Sequence, residues 1–256
     1  MKSILNHFRS TFFINRNSIF QSLIFRHNFS LSTSPSQYFD LTHIQSISSN
    51  VIPKFSISDF ILFPNHFTLQ EQTFLTTHSL KKLKRVFGKK TIYQPSHFDH
   101  VIYNYRECQV TNWTSGDNEI EQEINNLLVN KVYNLFTKTN WLPIHILELA
   151  ESIGGIKPHV DNTEYSGNIV VGICLISPTV MILRHINNPE CKFSVLLEPG
   201  CLYIQRDTIR YNFTHEIPID SEQHKFKDNL IPKGHRISLI FRVWVNGLYS
   251  KDLLFL

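Results

Sequence analysis

The chain has 256 residues, 42% of them hydrophobic and 18% charged, with 25 Lys and Arg against 21 Asp and Glu. Its length exceeds what one average domain needs, so one catalytic domain with additional N-terminal material is expected. The four cysteines, Cys108, Cys174, Cys191 and Cys201, show neither CxxC spacing nor the density of a disulfide framework, which excludes a small cross-linked fold and leaves buried thiols in a reducing compartment.

The net charge of +4 is concentrated at one end. Lys2, Arg9, Arg16 and Arg26 precede the first acid, Asp40, and 21 basic residues face 21 acidic ones beyond that point. A neutral body weakens the charge argument for a nucleic-acid partner. Residues 1–36 combine those bases with serines and with bulky apolar side chains such as Phe8, Phe12, Phe13, Ile19, Phe20 and Leu23. This is the composition of a mitochondrial transit peptide, with removal expected between Arg26 and Gln37 and delivery to the matrix. Polar residues interrupt it too often for the roughly 18 apolar positions of a membrane span, and no other span is expected. Residues 37–56 read as a linker, and residues 57–249 as the folded domain.

Thr68-Leu69-Gln70-Glu71 has the form of a capping box, and Phe74, Leu75 and Leu83 keep helical spacing to about Arg85. Lys81, Lys82, Lys84 and Arg85 read as a solvated helix end, where positive charge suits the dipole. A second helix is predicted over 118–137, with Ile120, Ile124, Leu127, Leu128 and Leu135 at three- and four-residue intervals. From Pro143 onward short β-branched and aromatic runs take over: 144–149, 169–176, 180–185, 192–197, 202–205, 209–215 and 237–245. The expected class is α+β and mainly β, with flanking helices packed on a β-sandwich or jelly roll.

His159-Val160-Asp161 sets an imidazole and a carboxylate on one face of an extended chain. With one distant His they form a facial triad, which leaves three metal positions open. The motif is weak alone, because 13 His and 9 Asp in 256 residues supply about half an HxD per chain by chance. A rival, His97-Phe98-Asp99, lies before the second predicted helix and far from the other candidate ligands, and it reads as structural. For the third ligand, the segment 211–216 as a strand places Tyr211, Phe213 and His215 on one face. His215-Glu216 does not open an HExxH zinc helix, since Ile219 occupies the fifth position and Pro218 would interrupt it.

Alternation along 236–242 puts Ile237, Leu239 and Phe241 on one face, and Arg236, Ser238, Ile240 and Arg242 on the other. Two guanidinium groups on one face of an apolar strand need anions. A dicarboxylate such as 2-oxoglutarate would supply them; pairing with Glu148 or Glu198, or exposure to solvent, is the alternative.

In this order, His159-x-Asp161, His215 and Arg236-x-Ser238-x-x-x-Arg242 resemble the AlkB family of Fe(II)/2-oxoglutarate dioxygenases. The likeness is greatest to the mitochondrial homologue-seven branch. It is carried by Lys157-Pro158-His159-Val160-Asp161, by Leu175 to Met181, by Leu197 to Ile204, by Tyr211 to Ile217 and by Ile231 to Ser238, and it extends over about residues 97–245. The resemblance implies a double-stranded β-helix core, Fe(2+) held by His159, Asp161 and His215, and 2-oxoglutarate held by Tyr203, Arg236 and Arg242. Dioxygen is the second cosubstrate. The implied reaction oxidises a C–H bond of a protein or metabolite and decarboxylates 2-oxoglutarate to succinate, with links to fatty-acid metabolism and programmed necrosis. Nucleic-acid demethylases of the wider family carry Asn and Tyr where this chain has Glu148 and Ala150, and the span 106–118 offers a single aromatic, Trp113, for base stacking. An RNA or DNA demethylase and a metal-binding regulatory module without turnover are the alternative functions.

Overall fold

A computed structural model describes residues 37–46, 55–88, 92–136 and 139–245. The transit peptide read over 1–36 and the last four residues of the expected domain lie outside the described residues. The strands, in chain order, are β1 (Phe39–Asp40), β2 (Phe60–Phe63), β3 (Gln94–Ser96), β4 (Ile102–Val110), β5 (Ile144–Leu149), β6 (Gly155–His159) and β7 (Ser166–Leu175). They continue with β8 (Thr179–His185), β9 (Asn188–Leu197), β10 (Leu202–Arg206), β11 (Phe213–Ile217), β12 (Lys225–Phe226), β13 (Asn229–Leu230) and β14 (Arg236–Trp244). The helices are α1 (Thr42–Ser46), α2 (Leu69–Phe87), α3 (Asn118–Lys131) and α4 (Asp207–Asn212).

One antiparallel sheet runs in the order β1-β9-β8-β11-β6-β4-β5-β14-β7-β10-β2, with β3 added on β4, while β12 and β13 pair separately. Its two halves curl toward each other. Met181, Leu183, Phe193 and Val195 of β8 and β9 share an apolar cluster with Leu62, Cys174 and Tyr203 of β2, β7 and β10. On the outer face of the β5-β14-β7-β10 half, Leu75 and Leu83 of α2 and Ile124 and Leu128 of α3 pack on Ile146, Ile173, Leu239 and Phe241. Each such side chain contributes about 1.5–3 kcal/mol through burial. The fold is mainly β, a strongly curled antiparallel jelly roll with few helices.

The capping box forms as the sequence predicts: Glu71 N donates to Thr68 Oγ1 at 3.3 Å, and Thr68 N donates to Glu71 Oε2 at 2.7 Å. At the far end of α2, Lys81, Lys84 and Arg85 are exposed as expected, and Lys82 departs from that reading. Lys82 is buried and donates to Asn112 O at 2.7 Å, and Arg85 donates to Trp113 O, so both tie α2 to the loop that precedes α3. Helix α3 stops at Lys131 rather than continuing to 137. Val132 leaves the helical region with φ −122°, and a 3-10 turn over Tyr133–Leu135 keeps Tyr133 and Leu135 against the core.

Three further segments depart from expectation. Part of the expected linker belongs to the fold, because Tyr38 and Phe39 are buried and Phe39 lies opposite Val195 of β9. The predicted strand 209–215 is helix α4 followed by β11. Asp207 turns the chain with φ +46°, and Tyr211 therefore sits on α4 and not on the strand face of Phe213 and His215. Strand β4 is not among the expected strands; Arg106-Glu107 puts two adjacent charges in the middle of its alternating pattern. It forms because Arg106 finds Glu148 directly opposite on β5, at 2.8 Å from Nη2 to Oε1.

Candidate metal centre

His159 ends β6 and His215 lies on β11, and the register of these antiparallel strands sets the two residues opposite each other. Their rings stand 4.3 Å apart between centroids. Asp161 follows two residues beyond β6 and brings Oδ1 to 3.3 Å from His159 Nε2 and 3.8 Å from His215 Nε2. One ligand atom from each of the three residues lies within 4.8 Å of the others, the grouping expected from the HxD motif.

His159 Nδ1–H donates to Lys157 O at 3.0 Å, which orients the ring and turns Nε2 toward Asp161 and His215. Burial pushes the His215 pKa down to about 3, so this ring is neutral. Burial alone would raise the carboxyl pKa of Asp161, but Arg242, His159 and His215 more than offset it and hold it well below the usual carboxylate range. Two imidazoles and one carboxylate gathered on one side suit a divalent transition metal with open positions.

The alternation predicted along β14 is present. Ile237, Leu239 and Phe241 face the helices, and Arg236, Ser238, Ile240 and Arg242 face the interior between the curled halves. Arg236 is 4% exposed and Ser238 1%, and neither Arg236 Nε nor Ser238 Oγ has a hydrogen-bond partner. A guanidinium buried with an idle donor calls for an anion. Neither Glu148 nor Glu198 meets this need. Glu148 turns to the other face of β5, where it binds Arg106 and accepts from His235 at 2.7 Å. Arg242 has a different partner, donating from Nε to Asp161 Oδ2 at 2.8 Å.

Tyr203 of β10 lies opposite Gly172 of β7, and its ring rests on that glycine so closely that a Cβ there would stand 2.2 Å from Cζ. Burial pushes the phenol up to about 12, so it remains a hydrogen-bond donor in a site that also holds Arg236 and Asp161.

The rival motif does not gather a metal site. His97 Nδ1 stands 2.8 Å from Asp99 Oδ1, and His97 Nε2 stands 3.4 Å from Glu107 Oε1. It is nevertheless not remote from the centre, contrary to expectation. Glu107 accepts from His145 Nε2 at 2.9 Å, and His145 Nδ1 accepts from Arg242 Nη1 at 3.3 Å. A polar chain thus joins His97 to the guanidinium beside Asp161. His145, Glu107 and Arg210 escaped the sequence reading, because isolated polar residues become partners only once β4, β5 and α4 are in place.

No family profile matches the chain. The alpha-ketoglutarate-dependent dioxygenase alkB homolog 7, mitochondrial, of Mus musculus is 35% identical over 188 residues, covering 73% of this chain and 80% of the mouse protein. The protein of the same name from Bos taurus is 35% identical over 178 residues, covering 68% and 77%. The chain belongs to the AlkB homologue 7 family. This family is one of alpha-ketoglutarate-dependent dioxygenases, oxidoreductases whose reaction requires Fe(2+), 2-oxoglutarate and dioxygen. Among solved structures, OsALKBH1 matches with a TM-score of 0.50 and 17% identity over 74% of this chain and all of that one. A prolyl hydroxylase from Trichoplax adhaerens, in complex with a hypoxia inducible factor peptide, matches with a TM-score of 0.50 and 10% identity over 73% and 84%. These two likenesses show the fold, the curled jelly roll shared by 2-oxoglutarate oxygenases. Among the described residues, no helix is long and apolar enough to cross a membrane.

Proposed function

We propose that His159, Asp161 and His215 hold Fe(II), that Arg236 and Tyr203 bind the distal carboxylate of 2-oxoglutarate, and that Arg242 steadies the carboxylate nearer the metal. The observation that carries this reading is the buried guanidinium of Arg236 with its partnerless Nε, set in the same interior as two opposed histidines and a carboxylate. Fe(II) with 2-oxoglutarate and dioxygen supplies the oxidising power, and the cosubstrate leaves as succinate and carbon dioxide. The chain's own residues bind and orient. Arg242 Nε occupies Asp161 Oδ2 and thereby directs Oδ1 toward the two histidines. The hydroxyl of Ser238 and the phenol of Tyr203 add donors where Arg236 meets an anion, and the surrounding apolar side chains keep water from weakening those contacts.

A protein or metabolite C–H bond is the favoured target. Trp113, the single aromatic of the 106–118 span, is 2% exposed and packed in the helix-facing core, where a nucleobase cannot stack on it. Glu148, at the position where nucleic-acid demethylases of the wider family carry Asn, is buried and saturated by Arg106 and His235. Both observations support a non-nucleic-acid substrate. A mitochondrial location is supported by the composition of residues 1–36 and by the names of the two mammalian relatives, and the matrix by that composition alone. The links to fatty-acid metabolism and programmed necrosis rest on the family resemblance.

The test is succinate release from 2-oxoglutarate by the iron-loaded chain, compared with His159→Ala and Arg236→Ala. Loss in both variants is expected, and equal rates in all three would leave a metal-binding module without turnover. Incubation with methylated mitochondrial RNA examines the substrate; 2-oxoglutarate-dependent demethylation would reverse the stated preference. A fluorescent fusion that stays out of mitochondria only when residues 1–36 are removed is the expected result for location.

A further inference from the structure

His159 and His215 are held by the strand ladder, but Asp161 is not. It lies past the end of β6, in the loop that leads to β7 at Ser166, where no ladder hydrogen bond fixes the main chain. That loop is gripped from the side by one residue. Arg210 of α4 donates from Nη1 to Asp161 O at 3.1 Å, from Nη2 to Ser166 O at 3.1 Å and to Asn162 O at 3.4 Å, and from Nε to Gly167 O at 3.2 Å. Arg210 is 2% exposed, and among the described residues its hydrogen bonds go to main-chain carbonyls and not to a carboxylate.

We propose that Arg210 is a positioning residue of the metal centre, holding the main chain of Asp161 and its loop so that the carboxylate stays in reach of His159 and His215. A guanidinium is suited to this because its planar fork aims several N–H groups at once, whereas an ammonium offers three donors from a single point. The placement of α4 gives the clamp its meaning. Arg210 stands five residues before His215 and just ahead of β11, so one short segment delivers a ligand and also restrains the loop that carries another. The side chain of Asp161 is fixed separately, by Arg242. Main chain and carboxylate are thus anchored by different arginines from different elements.

The inference rests on the metal-centre reading above, and its test separates the two. Co(II) is titrated into the full chain, without cosubstrate, for the wild type, Arg210→Lys, Arg210→Gln and Leu128→Ala. The last variant removes a side chain buried between α3 and the sheet, on the outer face of the fold, and controls for general destabilisation. Loss of an outer partner of a ligand typically weakens metal binding by about 10–100-fold. Such a loss is expected in both Arg210 variants, together with a shifted visible Co(II) spectrum at saturation and faster amide exchange over residues 162–167 of the metal-free chain. Leu128→Ala is expected to melt earlier with affinity and spectrum intact. Wild-type protein that takes up no Co(II) would remove the metal centre and this role with it. Wild-type affinity and spectrum in the Arg210 variants, or an equal loss in Leu128→Ala, would overturn the role of Arg210 alone. If Arg210→Gln does not fold, Arg210→Lys, which keeps the charge and loses the fork, decides the matter.

Discussion

Arg242 Nε lies 2.8 Å from Asp161 Oδ2, so the one carboxylate of the triad is also the counter-ion of a guanidinium on the neighbouring face of β14. The pair ties the geometry of the proposed metal site to stability. Asp161→Asn keeps the volume and removes the charge, leaving Arg242 without its counter-ion. Metal-dependent succinate release should fall to background. The metal-free protein should also lose about 1.5–3 kcal/mol, since hydrogen bonds to charged groups are worth that much. Thermal melting without metal reads this; an unchanged melting temperature would show that the pair contributes nothing before metal arrives.

Arg236 should behave in the opposite sense. Its Nε is buried without a partner, a cost carried by the folded state in the absence of cosubstrate. Arg236→Met fills similar volume without that cost. The metal-free variant is expected to be more stable than wild type by about 1–2 kcal/mol, or about 2–4 °C for each kcal/mol in a domain of this size, and to lose the thermal stabilisation that 2-oxoglutarate gives the wild type. Lower stability combined with intact stabilisation by 2-oxoglutarate would show that Arg236 serves packing and not the cosubstrate.

Gly172 and Tyr203 make a third test. A methyl at Gly172 must displace the phenol ring that lies against it, because its Cβ would stand 2.2 Å from Tyr203 Cζ. Gly172→Ala should raise the KM for 2-oxoglutarate, and Tyr203→Phe should raise it about fivefold, the worth of one hydrogen bond of about 1 kcal/mol. Succinate release at varied 2-oxoglutarate measures both. An unchanged KM in Tyr203→Phe would remove the hydroxyl from cosubstrate binding.

What was legible in the sequence depended on periodicity. The faces of β14 follow from period-2 alternation, and the Thr68 capping box follows from a four-residue pattern, so Arg236, Arg242 and the start of α2 could be placed in advance. The pairing of His159 with His215 could not, since it depends on the register of β6 against β11, which lie more than fifty residues apart. Segment 209–215 misled the reading. Its residues alternate as a strand would, but Asp207 at φ +46° starts a helical turn, and the buried polar Arg210 has no signature until the loop it grips is seen. His97-Phe98-Asp99 shows the opposite failure: a correct motif string whose His and Asp lie against each other, 2.8 Å apart, and gather no third ligand among the described residues.

His224 gives a prediction about pH. Its Nδ1–H donates to Ile231 O at 2.7 Å, and its Nε2 accepts from Val180 N at 2.9 Å, so the buried ring is specified as neutral. Burial holds its pKa below the ordinary 6.5. The folded chain therefore binds fewer protons here than the unfolded chain does once the pH falls below 6.5. The stability contributed by this neutral ring is fully present above 6.5 and is lost as the pH drops from there toward the depressed folded value. His66 and His78, also depressed by burial, act in the same direction. Between pH 7.5 and pH 5.5 the melting temperature of the wild type should fall further than that of His224→Asn, which is less stable at pH 7.5 but carries no proton to gain. Parallel declines in the two proteins would show that His224 is not among the groups that set the acid limit.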